Sequence, residues 1–279
     1  MFLGLWFALV ACGGETEAPV EQKEEFSKSS KQDAEQMAKE IEEKALDLSN
    51  QEYEVLAPSP EETRLAVERA GLVTALSGLI PKRDFSLEGL DADQTALRIG
   101  ILLSDTILLV KELPKARLVA NLETVAKGLR QMGAGKGLCE TVEGYGEQIN
   151  NDALTRDDLL FALEQIASMS VPGEGFGSND RTGPMLQAGA WTAGVSLVAE
   201  AIIKENRIDT ADKLLRHGPT ADYFLSYVQK GADDKAPTPV LQQLESSLKI
   251  LKAIAEKDKI TYADVEQIKS ETQTLLEMI

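Results

Sequence analysis

Apolar residues recur along this chain every three to four positions, as in Met37, Ile41, Ala45 and Leu48, and again in Leu241, Leu244, Leu248, Leu251 and Ile254. That spacing places them on one face of a helix, and no alternating strand pattern competes with it, so an all-α fold class is predicted. Helix starts are legible. Ser59-Pro60-Glu61-Glu62 offers a hydroxyl N-cap, a proline at the first helical position and a glutamate at the third. Asp91 with Gln94, Thr155 with Asp158, Asp209 with Asp212, and Thr261 with Asp264 repeat the pattern of a cap followed by an acid or amide. The first of these helices is predicted to run to about Leu79, stopped by Pro81. Pro114 separates a helix ending near Lys111 from one running to Gln131. Gly218-Pro219 reads as a helix stop, with His217 complementing the negative end of the helix dipole.

Two segments are apolar almost all round and are expected to be central, 92–111 and 184–205. Setting Gly100 over Gly189, an offset of 89, also brings Leu97 over Leu186 and Leu108 over Leu197. The expected architecture is therefore a helical bundle of two similar helical halves around this central pair, derived from an internal duplication.

Charge narrows the function. With 29 basic and 46 acidic residues the chain carries −17, a poor match to a phosphate backbone, so nucleic acid is excluded as a partner. Met1 to Leu9 is uncharged and apolar, too short to span a bilayer and similar to a signal-peptide core, although no Lys or Arg precedes it. Leu9-Val10-Ala11-Cys12 follows directly and resembles a bacterial lipobox. It implies that residues 1–11 are a lipoprotein signal peptide, that Cys12 carries the lipid, palmitate included, and that 12–32 is an acidic tether. An amphipathic helix and linker over 33–58 and an all-helical domain over 59–279 complete the plan. With Cys12 acylated, Cys139 has no disulfide partner and is expected in the core. No segment after Cys12 reads as long and apolar enough to insert into a membrane, so the lipid must anchor an acidic body that anionic headgroups repel. Gly13 and Gly14, with no Asp behind the cysteine, point to the outer membrane, facing the periplasm or the cell surface.

The segments APSPEET, ALRIGILLSDTILL and DRTGPMLQAGAWTAGVSLV, in that order, resemble a family of helical bacterial lipoproteins of the Bacteroidota type. In that family's first central helix a Leu-Gly-Val-Tyr-Gly-x-Asp pattern is met here by Gly100 and Asp105, with Leu102 and Leu103 at the aromatic and second glycine. In the second, Gly-Gly-Trp-x-Glu is met by Gly189 and Trp191, with Ala190 and Ala193 at the other places. The resemblance implies fold and envelope location, and no activity.

Candidate chemistry centres on Asp105, which interrupts the apolar run from Ile99 to Val110 and needs a partner if buried. Gly100, Gly189 and Gly194 each cost roughly 1 kcal/mol against alanine in a helix. With Ala190 and Ala193 they form a smooth strip suited to close helix contact, or a groove walled by Trp191. The glycine-rich stretch from Pro172 to Pro184, with Arg181, reads as a connector. One histidine and the absence of HExxH, CxxC and GxSxG patterns predict no enzyme, no cofactor and no metal site. The leading expectation is a non-catalytic, lipid-anchored envelope protein presenting a helical surface to an envelope protein partner. The alternative is a binding protein for a small apolar or amphipathic ligand between the central helices, using Gly100, Asp105, Gly189, Trp191 and Gly194.

Overall fold

Ten α-helices and no strand are formed by the residues that the computed structural model describes, which are 57–72, 76–83, 85–168, 181–230 and 238–279. The chain divides into two units at Val55, and all described residues belong to the second. Cys12, the expected signal segment and tether, and the helix expected from Asp33 lie outside them.

The helices are α1 (Pro60–Arg69), α2 (Ala92–Leu108), α3 (Lys115–Gln131), α4 (Lys136–Asn150), α5 (Arg156–Ser168), α6 (Thr182–Glu205), α7 (Ala211–Leu214), α8 (Gly218–Gln229), α9 (Pro239–Ala255) and α10 (Tyr262–Met278). Their starts follow from local chemistry. Ser59, Asp91 and Thr261 form reciprocal capping boxes with Glu62, Gln94 and Asp264, and the Thr155 hydroxyl accepts from the Asp158 amide at 3.1 Å. Asp209 caps nothing. Its carboxylate takes the Arg207 guanidinium instead, and Asp212 accepts the Ile260 amide at 3.0 Å.

Two expected boundaries are corrected. α1 stops at Arg69, ten residues before Leu79, because Gly71 adopts φ +71° and the amides of Gly71 and Leu72 turn back to the carbonyls of Glu68 and Val67. That pair of bonds is a Schellman termination. Gly218 and Pro219 begin α8 rather than ending a helix, since proline near the first turn gives up an amide that has no intrahelical partner. His217 still reaches a helix end: its Nε2 lies 3.0 Å from the Leu214 carbonyl, to which it donates. Burial pushes its pKa down, so it does so as a neutral ring.

α2 and α6 form the centre. Every residue from Ile99 to Leu108 is buried, as is almost all of α6, which is why these helices lack a polar face. Starts lie beside starts, with Asp93 of α2 paired to Arg181 ahead of α6 at 3.1 Å, so the two run in the same direction. α3 packs on α2 and on α4; α8 packs on α9 and α6; α10 covers α6 and α9; α1 rests on α2 and α6, and α5 on α2. Cys139 on α4 is free and buried, as expected. By length and composition α6 could cross a membrane, which corrects the expectation that no later segment could. Yet 78% of its most apolar window is buried inside the protein.

Candidate functional site

Gly100 and Gly189 bring the central helices into backbone contact. A methyl group placed on Gly100 would lie 1.9 Å from the Leu186 carbonyl oxygen, and one on Gly189 would lie 2.2 Å from that of Leu97. Only hydrogens fit there. The contact is reciprocal: 97 meets 189 and 100 meets 186, the positions that the offset of 89 makes equivalent. Gly194 serves a different neighbour, since a methyl there would approach Thr63 of α1 at 3.3 Å.

Beside Gly100, residues of α2 and α6 line a gap on one face of the central pair. The gap, closed by α10, by residues 79–83 and by Phe85, is a solvent-open cleft of about 530 Å3, within the range of roughly 300–1,000 Å3 usual for small-molecule sites. Ile101, Ala193, Leu197 and Leu276 supply apolar lining, and Asp105 and Arg83 are among its polar lining. Asp105 is 8% exposed, and its Oδ2 accepts a hydrogen bond from Arg83 Nη1. Burial raises the carboxyl pKa to about 6 against the opposing pull of Arg83. Across the cleft Lys269 of α10 pairs with Glu200 of α6 at 2.5 Å, and Gln273 Nε2 donates to Glu277 at 3.0 Å.

The five residues expected to share a ligand site therefore stand in three places. Gly100 and Gly189 are spent on helix contact, Asp105 lines the cleft, and Trp191 and Gly194 line a separate hollow of about 90 Å3 with Thr63 and His217. Trp191 is 5% exposed, and its ring is packed 5.5 Å from that of Phe224. Arg83, Glu200, Lys269 and Gln273 went unread in the sequence. For Arg83 one signal existed: a buried Asp105 requires a cation, and Lys82-Arg83 is a basic pair in an acidic chain. Arg181 is no loose connector at its own position, since its side chain is buried against Asp93; residues 169–180 of that stretch lie outside the described residues. Cys12 lies outside them too. Among the described residues no three His, Cys, Asp or Glu side chains group as metal ligands.

Comparison with protein-family models, with curated proteins and with solved structures gives no match to this chain.

Proposed function

We propose that this is a non-catalytic bacterial envelope lipoprotein, anchored through Cys12, whose helical body holds a small amphipathic molecule in the cleft between α2, α6 and α10. The single observation that carries the binding reading is the cleft itself, in which a buried carboxylate and its arginine share the lining with apolar side chains. Native mass spectrometry of the body released from membranes tests it. A bound small molecule that is lost on Ala193→Trp, which fills the cleft, is the expected result; an always empty body that also takes up no added amphiphile overturns it.

A second reading, a helical surface for another envelope protein, is favoured by Phe161 on α5, which stands 68% exposed. Crosslinking through position 161 in intact membranes should then recover one stoichiometric envelope partner, and recovery of the bait alone would overturn it.

The internal duplication is proposed on the reciprocal glycine contact, since two copies related by a twofold axis must exchange contacts in this way. On this proposal α1–α4 correspond to α5, α6, α8 and α9. Superposing residues 59–150 on 155–255 should give a twofold rotation about an axis along the central pair, and any other relation overturns it.

A further inference from the structure

The hydrogen-bonding capacity of the cleft is used unevenly. Asp105 gives Oδ2 to Arg83, but its Oδ1 receives no donor from any described residue. Glu277, exposed at the rim, receives only the Gln273 amide and pairs with no cation among the described residues, so the buried unfilled acceptor is Asp105 Oδ1 alone. By contrast Arg83 and Lys269 are each already paired with a carboxylate, and Lys82, at the exposed rim, is the cation without a partner among the described residues. What the interior lacks is a donor, and a charged donor above all, because a charge-assisted hydrogen bond is stronger than a neutral one. The long-range field acts in the same sense. A chain of net charge −17 draws small cations toward its clefts and repels small anions.

We propose that the cleft takes an organic cation, an amine with a short hydrocarbon body, its ammonium donating to Asp105 Oδ1 and its chain lying on Ile101, Ala193, Leu197 and Leu276. This rests on the reading of the cleft as a ligand site and names the class of ligand. The charged groups around the ammonium are Lys82 and Arg83 from residues 79–83, Glu200 from α6, and Lys269 and Glu277 from α10. The raised pKa of Asp105 shows that Arg83 alone does not offset the burial of this carboxylate, so a second donor at Oδ1 meets an unfilled requirement.

Three probes of equal chain length separate the outcomes: n-octylamine, octanoate and octanol, titrated calorimetrically into the full-length protein at neutral pH. Octylamine is expected to bind, and octanoate and octanol to bind at least tenfold more weakly. Asp105→Asn should weaken octylamine at least tenfold, with its melting curve confirming that it folds. Lys82→Ala, which removes a like charge from the exposed rim beside the ammonium, should tighten octylamine, and weakened octylamine binding would count against the cation assignment. Preference for octanoate, weakened by Lys82→Ala, overturns the cation assignment while leaving the cleft as a ligand site. Equal binding of all three shows that the head is not read and overturns it likewise. Failure of all three to bind overturns both the assignment and the ligand-site reading.

Discussion

Glycines in one fold give opposite answers to the same substitution. Gly100→Ala adds a methyl that must displace the Leu186 carbonyl at 1.9 Å, so the intrinsic helix gain of roughly 1 kcal/mol is overwhelmed by separation of the central helices. A net loss of about 2 kcal/mol or more is expected. Gly144 on α4 is half-buried but uncrowded, and the nearest atom to an added methyl is Gln148 Nε2 at 3.9 Å. Gly144→Ala should therefore stabilise by about 0.5–1 kcal/mol. Chemical denaturation of the two variants checks both signs, and equal effects would show that the close contact is not what constrains Gly100. Asp105 makes a pH prediction. Its folded pKa is raised to about 6, so between the unfolded value near 4 and 6 the native state holds more protons than the unfolded one. Stability from this group is then fully present below pH 4 and is lost as pH rises through 6, by about 3 kcal/mol at most. The stability difference between the protein and Asp105→Asn, measured from pH 4 to 7, should carry that slope. A flat difference would mean that Arg83 holds the carboxylate ionised throughout. His217 runs the other way. Burial lowers its pKa, so its contribution is present above the unfolded value near 6.5 and is lost as pH falls through the folded pKa. As the chain has one histidine, a single imidazole resonance followed by NMR reports the shift without assignment.

Helix starts were readable and several ends were not, for a physical reason. A cap announces itself in the residue that supplies it, as Ser59, Asp91 and Thr261 do. An end depends on whether the chain turns left-handed, and Leu72, Leu76 and Leu79 continue the helical spacing past the place where Gly71 turns. The same termination recurs at Gly133, Asp152 and Asn206, whose amides and those of the residues following them bond back to the preceding turn. Sequence alone marks only the glycine with ease. Gly71→Ala should destabilise by about 1–2 kcal/mol through the left-handed backbone alone, since the nearest atom to a new methyl, Arg207 Nη1, is an unstrained 3.6 Å away. If it proves neutral in thermal unfolding, α1 ends elsewhere in solution. The central pair was legible because helices buried all round leave no polar stripe. The cleft was not, because its parts come from residues 79–83, Phe85, α2, α6 and α10, and the pairing of Arg83 with Asp105 across 22 positions leaves no periodic trace.

At the scale of the whole molecule the proposed anchor at Cys12 and the apolar length of α6 are rival routes to a membrane, and one substitution separates them. On the proposed lipid anchor, acylation needs the thiol of Cys12, and Cys139 is buried in α4 at 2% exposure, so no second cysteine is accessible to take its place. α6 has the length and apolarity of a span, but it holds the protein's own core together: extracting it would expose Leu97 and Ile101 of α2 and break the Asp93–Arg181 pair. Burying one leucine contributes roughly 1.5–3 kcal/mol, so the folded body strongly favours keeping α6 inside. An acidic surface adds no attraction to anionic lipid. Cys12→Ala is therefore expected to lose palmitate labelling and to leave the membrane fraction as a soluble or unprocessed product. A variant that stays membrane-bound while its body resists proteolysis would place the anchor in the apolar stretch before Cys12. One that stays bound with its body cleaved would mean that α6 has left the core, and either result would overturn the lipid-anchor reading.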